Sequence, residues 1–84
     1  MKTIICIHGP QGSGKTLISN AISKQLGNIG IKVEKIDEVF HSKDVDKYLK
    51  ASLAPVVIIC TQNSEIAKRP DVTNVIHCHS VLKF

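Results

Sequence analysis

At 84 residues, 43% of them hydrophobic, and a formal charge of +4, the chain has room for one small domain spanning 1–84 and none for a second. No apolar stretch nears the roughly 18 residues that a membrane span needs, and no secretory leader precedes the first turn-rich segment. The charge comes from ten lysines and one arginine against seven acids, spread along the chain, which is compatible with nucleic acid as a partner and equally with plain solubility.

Phe40, Tyr48 and Phe84 are too few to build a base-stacking platform. Cys6, Cys60 and Cys78 all lie inside apolar runs. An odd number without a close pair reads as buried thiols in a reducing cytosol, so a cytoplasmic location is expected.

The first element is Thr3-Ile4-Ile5-Cys6-Ile7-His8, a β-branched strand expected to be buried on both faces of a parallel sheet. Gly9-Pro10-Gln11-Gly12-Ser13-Gly14-Lys15-Thr16 follows. A helix from about 15 to 26 comes next, with apolar residues at 17, 18, 21, 22 and 26, ended by Gly27 and a turn at Gly30. Residues 31–36 alternate apolar and polar, as an outer strand with one wet face does. Residues 44–53 form a helix candidate with Val45, Tyr48, Leu49 and Leu53 on one face and Ser42 as its cap. Ala54-Pro55 breaks it.

Val56-Val57-Ile58-Ile59-Cys60 is a wholly apolar strand, expected beside the first, and Thr61-Gln62-Asn63-Ser64 ends it in polar residues. A short irregular or helical piece over 65–71 leads to a last strand at 75–78. The sum is an α/β fold with a small, mostly parallel sheet of about four strands and few helices. Its edges and one face are thinly covered, which points to a homo-oligomer or a protein partner.

The loop at 9–16 carries the chemistry. Glycines at 9, 12 and 14 let the backbone turn tightly and aim successive N–H groups at an anion. The helix that follows adds its unpaired amides and the positive end of its dipole. Lys15 reaches β- and γ-phosphates as a point charge, and Thr16 offers a hydroxyl to Mg²⁺. Gln11 and Ser13 face either solvent or the edge of the nucleotide.

This run resembles the Walker A loop of the P-loop NTPase superfamily at each required position, between a strand and a helix as that motif demands. The resemblance implies a minimal P-loop NTPase-like three-layer fold that binds a nucleoside triphosphate with Mg²⁺, held by Gly9, Pro10, Gln11, Gly12, Ser13, Gly14, Lys15 and Thr16. The sequence has no Asn-Lys-x-Asp base-reading motif, which favours ATP over GTP.

Three readings of Asp37-Glu38 stand open. As a Walker-B-like pair, Asp37 holds the metal through its water shell and Glu38 polarises the attacking water. As the end of the strand after the first helix of a small nucleotide kinase, Asp37 contacts an acceptor, although Arg69 is the chain's lone arginine and a two-nucleotide clamp commonly wants more. As plain turn residues, the two acids have no chemistry. The run Val57–Asn63 followed by Arg69 is similar to the order in AAA-type ring ATPases. That resemblance implies a stripped, replication-type core with Asn63 as a sensor of the γ-phosphate and Arg69 as a finger across a subunit interface.

Together these imply Mg²⁺-dependent ATP binding with weak or partner-stimulated hydrolysis, the catalytic residues being Lys15, Glu38, Asn63 and Arg69 and the metal ligands Thr16 and Asp37. The alternatives are a non-catalytic module stabilised by nucleotide and, third, a small nucleoside or nucleotide kinase. His77, Cys78 and His79, even with Cys6 and His8, lack the spaced pairs of a structural zinc site. The expected state is a buried Cys78 with the histidines near the sheet end.

Overall fold

The computed structural model describes residues 2–79, which puts Phe84 outside the described residues. The elements are β1 (Thr3–His8), α1 (Lys15–Asn28), β2 (Val33–Ile36), α2 (Ser42–Ala51), β3 (Val56–Thr61), α3 (Ser64–Ala67) and β4 (Asn74–His77). They build one four-stranded sheet in the order β2-β3-β1-β4, with each neighbouring pair parallel. The β-branched runs take the centre: Thr3 pairs with Val56 and His8 with Thr61, and all six residues of β3 are buried. Parallel strands covered on both sides read as continuous apolar runs, as these two do.

Alternation along the strands divides the core in two. Ile4, Cys6, Val57 and Ile59 face α2 and α3, where Val45 and Ile66 meet them. Ile7, Val56, Ile58 and Cys60 face the other way, against Ile18, Ile22 and Leu26 of α1. The result is three layers, with the expected α/β class and mostly parallel sheet. Val33–Ile36 is an edge strand with Glu34 and Lys35 exposed. Ile36, however, is buried in the core under α2 and α3 while Val33 packs on the α1 side, so the single wet face read from sequence gives way to one apolar contact on each face. All three cysteines are free and buried. Burial pushes the thiols of Cys6 and Cys60 up to about 11, which keeps them protonated and inert. Among the described residues, no helix is long and apolar enough to cross a membrane.

Several boundaries differ from the sequence expectation, each for a physical reason. Helix α1 runs through Gly27 to Asn28 and stops at Gly30. Gly30 has φ 85°, its N–H bonds to the Gly27 carbonyl at 3.1 Å, and Ile31 N–H bonds to the Leu26 carbonyl at 3.0 Å. This is a Schellman stop, which needs a left-handed residue just past the helix. Leu17 and Ala21 lie off the buried face of α1 and are exposed.

Helix α2 begins two residues earlier than expected, so Ser42 is not its cap but its first residue, and His41 at the cap position makes no side-chain bond. The helix ends where Ser52 turns extended ahead of Ala54-Pro55, leaving Leu53 outside it and 97% exposed. Strand β2 starts at Val33 rather than 31, β3 extends one residue to Thr61, and β4 covers 74–77 rather than 75–78.

Ser42 is instead gripped by Arg69, whose Nη1 donates to its carbonyl at 2.9 Å and also to its hydroxyl. The same guanidinium pairs with Asp46 and lies bidentate on Asp71 at 3.0 and 2.9 Å. Arg69 therefore ties the start of α2 to the turn after α3. Its hydrogen bond is the main cause holding the Asp71 carboxyl below its ordinary value. A depressed carboxyl stabilises the fold above the ordinary carboxylate value of about 4, and that contribution fades as pH falls through the lowered value. Replacing Arg69 by Ala should cost about 1–2 kcal/mol, modest because the acid partners are part-exposed. Urea midpoints at pH 7 read this cost, and the gap between wild type and variant should narrow below pH 4.

Candidate functional site

The loop between β1 and α1 is shaped by close approach. Gly9 N–H bonds to the Thr61 carbonyl at 3.2 Å, and Cys78 N–H to the His8 carbonyl at 2.7 Å. A β-carbon on Gly9 would lie 2.6 Å from the Cys78 carbonyl oxygen and 2.7 Å from Ser13 Oγ, so only glycine fits. Gly12 and Gly14 have φ of 79° and 88°, the left-handed region that side chains disfavour. Ser13 N–H closes a turn on the Pro10 carbonyl at 3.2 Å. Ser13 Oγ is buried with no hydrogen-bond partner among the described residues.

Gly14 caps α1 without a side-chain bond. The first amides of the helix are thus left without a side-chain acceptor at its positive end. Lys15 is the first residue of the helix, yet it is only 4% exposed. Its ammonium donates back to the carbonyls of Gly9 at 3.0 Å and Pro10 at 2.9 Å, and lies 3.7 Å from Glu38 Oε1. A buried ammonium is tolerable only with partners of this kind. Around it opens a pocket of 410 Å³ lined by Gln11, Gly12, Gly14, Lys15, Thr16, Leu17 and Glu38. That is within the size range of small-molecule sites, roughly 300–1,000 Å³.

Glu38 reaches the pocket through an uncommon backbone. It has φ 54°, and it is the one non-glycine residue with positive φ among those described. Such a conformation costs roughly 1–3 kcal/mol and persists only where its surroundings hold it. Here they do. Val39 N–H bonds to the Cys60 carbonyl at 3.2 Å, the Thr61 hydroxyl donates to the Val39 carbonyl, and Asn63 Nδ2 donates to the Phe40 carbonyl. Gln62 Nε2 bonds Glu38 Oε2 itself at 3.3 Å.

The sequence-derived residues therefore separate. Lys15, Thr16 and Glu38 line one pocket with Gln11, Gly12 and Gly14. Asp37 does not line it. Its carboxylate sits beside the buried Cys60 thiol, whose proton is held chiefly by burial, with Ser19 opposing and Asp37 then Glu38 assisting. Asn63 caps α3, its Oδ1 accepting from Glu65 N–H at 3.0 Å, and reaches the acid turn only through Phe40. Arg69 is committed to Asp46, Asp71 and Ser42. His8 turns to His77 rather than to the pocket or α1.

Two residues that sequence reasoning passed over are Leu17, which lines the pocket, and Gln62, which holds Glu38. Gln62 had a signal in its place in the polar run that ends β3, next to Thr61, whose hydroxyl donates to Val39 in the acid turn.

Residues 5–75 match the family described as "ATPase family associated with various cellular activities (AAA)", and the chain belongs to that family. A probable adenylyl-sulfate kinase of Archaeoglobus fulgidus is similar over 37 residues at 46% identity, covering 44% of this chain and 24% of that protein. The chain thus spans about a quarter of the length of that relative. No solved structure matches. Membership of this family points to nucleotide binding.

Two glycines, one in the loop and one inside α1, give a paired test. Gly9→Ala should lower stability by about 1–3 kcal/mol, since the new methyl overlaps the backbone at Cys78. Gly27→Ala meets nothing within 4 Å inside α1, and should raise stability by about 0.5–1 kcal/mol. Opposite shifts in melting temperature are the expected readout.

Proposed function

We propose that this member of the AAA family binds ATP with Mg²⁺ at the pocket around Lys15 and hydrolyses it weakly or under stimulation by a partner. The observation that carries the reading is the juxtaposition of a buried ammonium and a strained acid turn at the mouth of the glycine loop. The amides of Gly12, Gly14, Lys15 and Thr16 and the Lys15 ammonium supply the positive cradle for a triphosphate.

The donor set suits magnesium. Thr16, which carries a hydroxyl, lines the pocket, and Asp37, outside the lining, adjoins Glu38 in the turn. With Mg²⁺ bound, these two would hold it, and the ion would neutralise charge on the phosphates. Glu38 is the group to orient and polarise water, since it is the carboxylate that lines the pocket. Asn63 fits a positioning role at one remove, through the Phe40 carbonyl. Arg69 fits a finger role only after release from Asp46 and Asp71, which a second copy or partner chain would have to offset.

If nucleotide instead only stabilises an interaction module, ATP should raise the melting temperature with no phosphate released. The 37-residue likeness to a probable adenylyl-sulfate kinase favours a second reading, phosphoryl transfer to a small acceptor with Asp37 toward it. Incubation with ATP and candidate acceptors, adenylyl sulfate and nucleosides among them, separates transfer from hydrolysis.

Lys15→Ala removes a charged contact of about 2–3 kcal/mol, so MgATP affinity should fall roughly 30- to 150-fold. Titration calorimetry measures it, and an unchanged Kd would refute the site. Glu38→Gln should bind MgATP nearly as wild type while phosphate release slows by roughly 10²- to 10⁴-fold. Equal turnover would place the base elsewhere.

A further inference from the structure

We propose that His8 and His77 form an open chelating site for a divalent transition-metal ion, with Zn²⁺ as its type, at the C-terminal end of the sheet. The two residues are register partners on the adjacent parallel strands β1 and β4, so their side chains rise from the same face of the sheet. Their Nδ1 atoms lie 3.3 Å apart, with ring centroids at 5.4 Å and planes crossed at 89°. Two nitrogens bound at roughly 2.0–2.1 Å to a tetrahedral ion stand roughly 3.3–3.4 Å apart. The spacing of the pair is therefore that of two ligands on a tetrahedral metal.

The backbone beneath the pair is firmly held. Cys78 N–H bonds to the His8 carbonyl at 2.7 Å, and Gly9 N–H to the Thr61 carbonyl at 3.2 Å. The side chains themselves are reachable, His77 exposed and His8 half-buried. Without metal, one Nδ1–H donates to the other Nδ1. On binding, the donor ring shifts its proton from Nδ1 to Nε2 by exchange with solvent, with no net release, so that both Nδ1 lone pairs go to the ion and each ring carries its proton on Nε2.

No group of three or more His, Cys, Asp or Glu converges among the described residues. The remaining coordination positions therefore belong to water or an exchangeable ligand, as in open rather than structural sites. Neither histidine lines the pocket around Lys15, so the site is separate from the one proposed for nucleotide. Its position beside Gly9 nevertheless sets any bound ion next to the root of the phosphate loop.

The test uses the full chain. Zn²⁺ titration calorimetry should give one ion per chain, and Cu²⁺ electron paramagnetic resonance should show two coordinated nitrogens. His8→Gln and His77→Gln should each weaken Zn²⁺ by at least roughly tenfold, since even outer-shell losses cost about 10- to 100-fold. His79→Gln, Cys78→Ser and Lys15→Ala should bind as wild type. Lys15→Ala also separates failure here from failure of the nucleotide site. Metal-free melting curves show that each variant is folded. Undiminished Zn²⁺ affinity in His77→Gln, or a Cu²⁺ spectrum lacking the paired nitrogens, would overturn the proposal.

Discussion

A lysine ammonium withdrawn from water sets the terms for everything around it. Lys15 begins α1, where a long cationic side chain would ordinarily extend into solvent, and instead folds back under its own loop. The desolvation cost of several kcal/mol per ion has to be offset locally. The carbonyls of Gly9 and Pro10 and the carboxylate of Glu38 do so. With those carbonyls committed to the ammonium, the loop leaves amides rather than oxygens for a ligand. Among the described residues, no backbone hydrogen bond takes up the N–H of Gln11, Gly12 or Gly14. In the proposed reading, these unpaired amides beside a buried cation would form an anion receptor whose main cost is met before any ligand arrives.

The end of β3 is the post from which this receptor hangs. The Cys60 carbonyl takes Val39 N–H and the Thr61 carbonyl takes Gly9 N–H, so two carbonyls one residue apart fix the acid turn and the loop respectively. Thr61 does more, since its buried hydroxyl donates to Val39 and accepts from Asn63 N–H at 3.0 Å. A β-branched residue suits a strand interior, and the hydroxyl satisfies groups that valine would leave unpaired. Asn63 then divides its side-chain amide between the Phe40 carbonyl and the Glu65 N–H in the first turn of α3. Loop, acid turn and α3 thus refer to one four-residue stretch, which is why a strained Glu38 can be held at all.

How much of this was legible without coordinates depends on the range of each interaction. The loop was readable because its glycines, lysine and threonine act at fixed short spacing. The two central strands were readable because burial on both faces leaves an unbroken apolar run. The end of α1 was misread at Gly27, since a helix tolerates an interior glycine at about 1 kcal/mol while the Schellman stop needs a left-handed residue three positions on. Ser42 was misread as a cap because its real partner, Arg69, lies 27 residues away. The acid pair at 37–38 could be seen, but which acid faces the lysine rests on the sign of one backbone angle, and no pattern of residue types encodes that.

The supports of the proposed receptor come from opposite sides of the sheet. The turn bearing Glu38 leaves β2, and the Cys78 backbone against Gly9 follows β4. Both are edge strands of four residues, each with one side unpaired among the described residues. β2 is guarded by exposed Glu34 and Lys35, whereas β4 presents Val75 to solvent. A polyanion seated on Lys15 would draw Glu38 and the glycine loop into one charge arrangement, and the loop is already bonded to β3 and packed against the residue after β4. Occupancy at the centre would therefore oppose fraying at both edges. In so small a sheet, ligand affinity and fold stability become two measurements of the same contacts, linked by mass action.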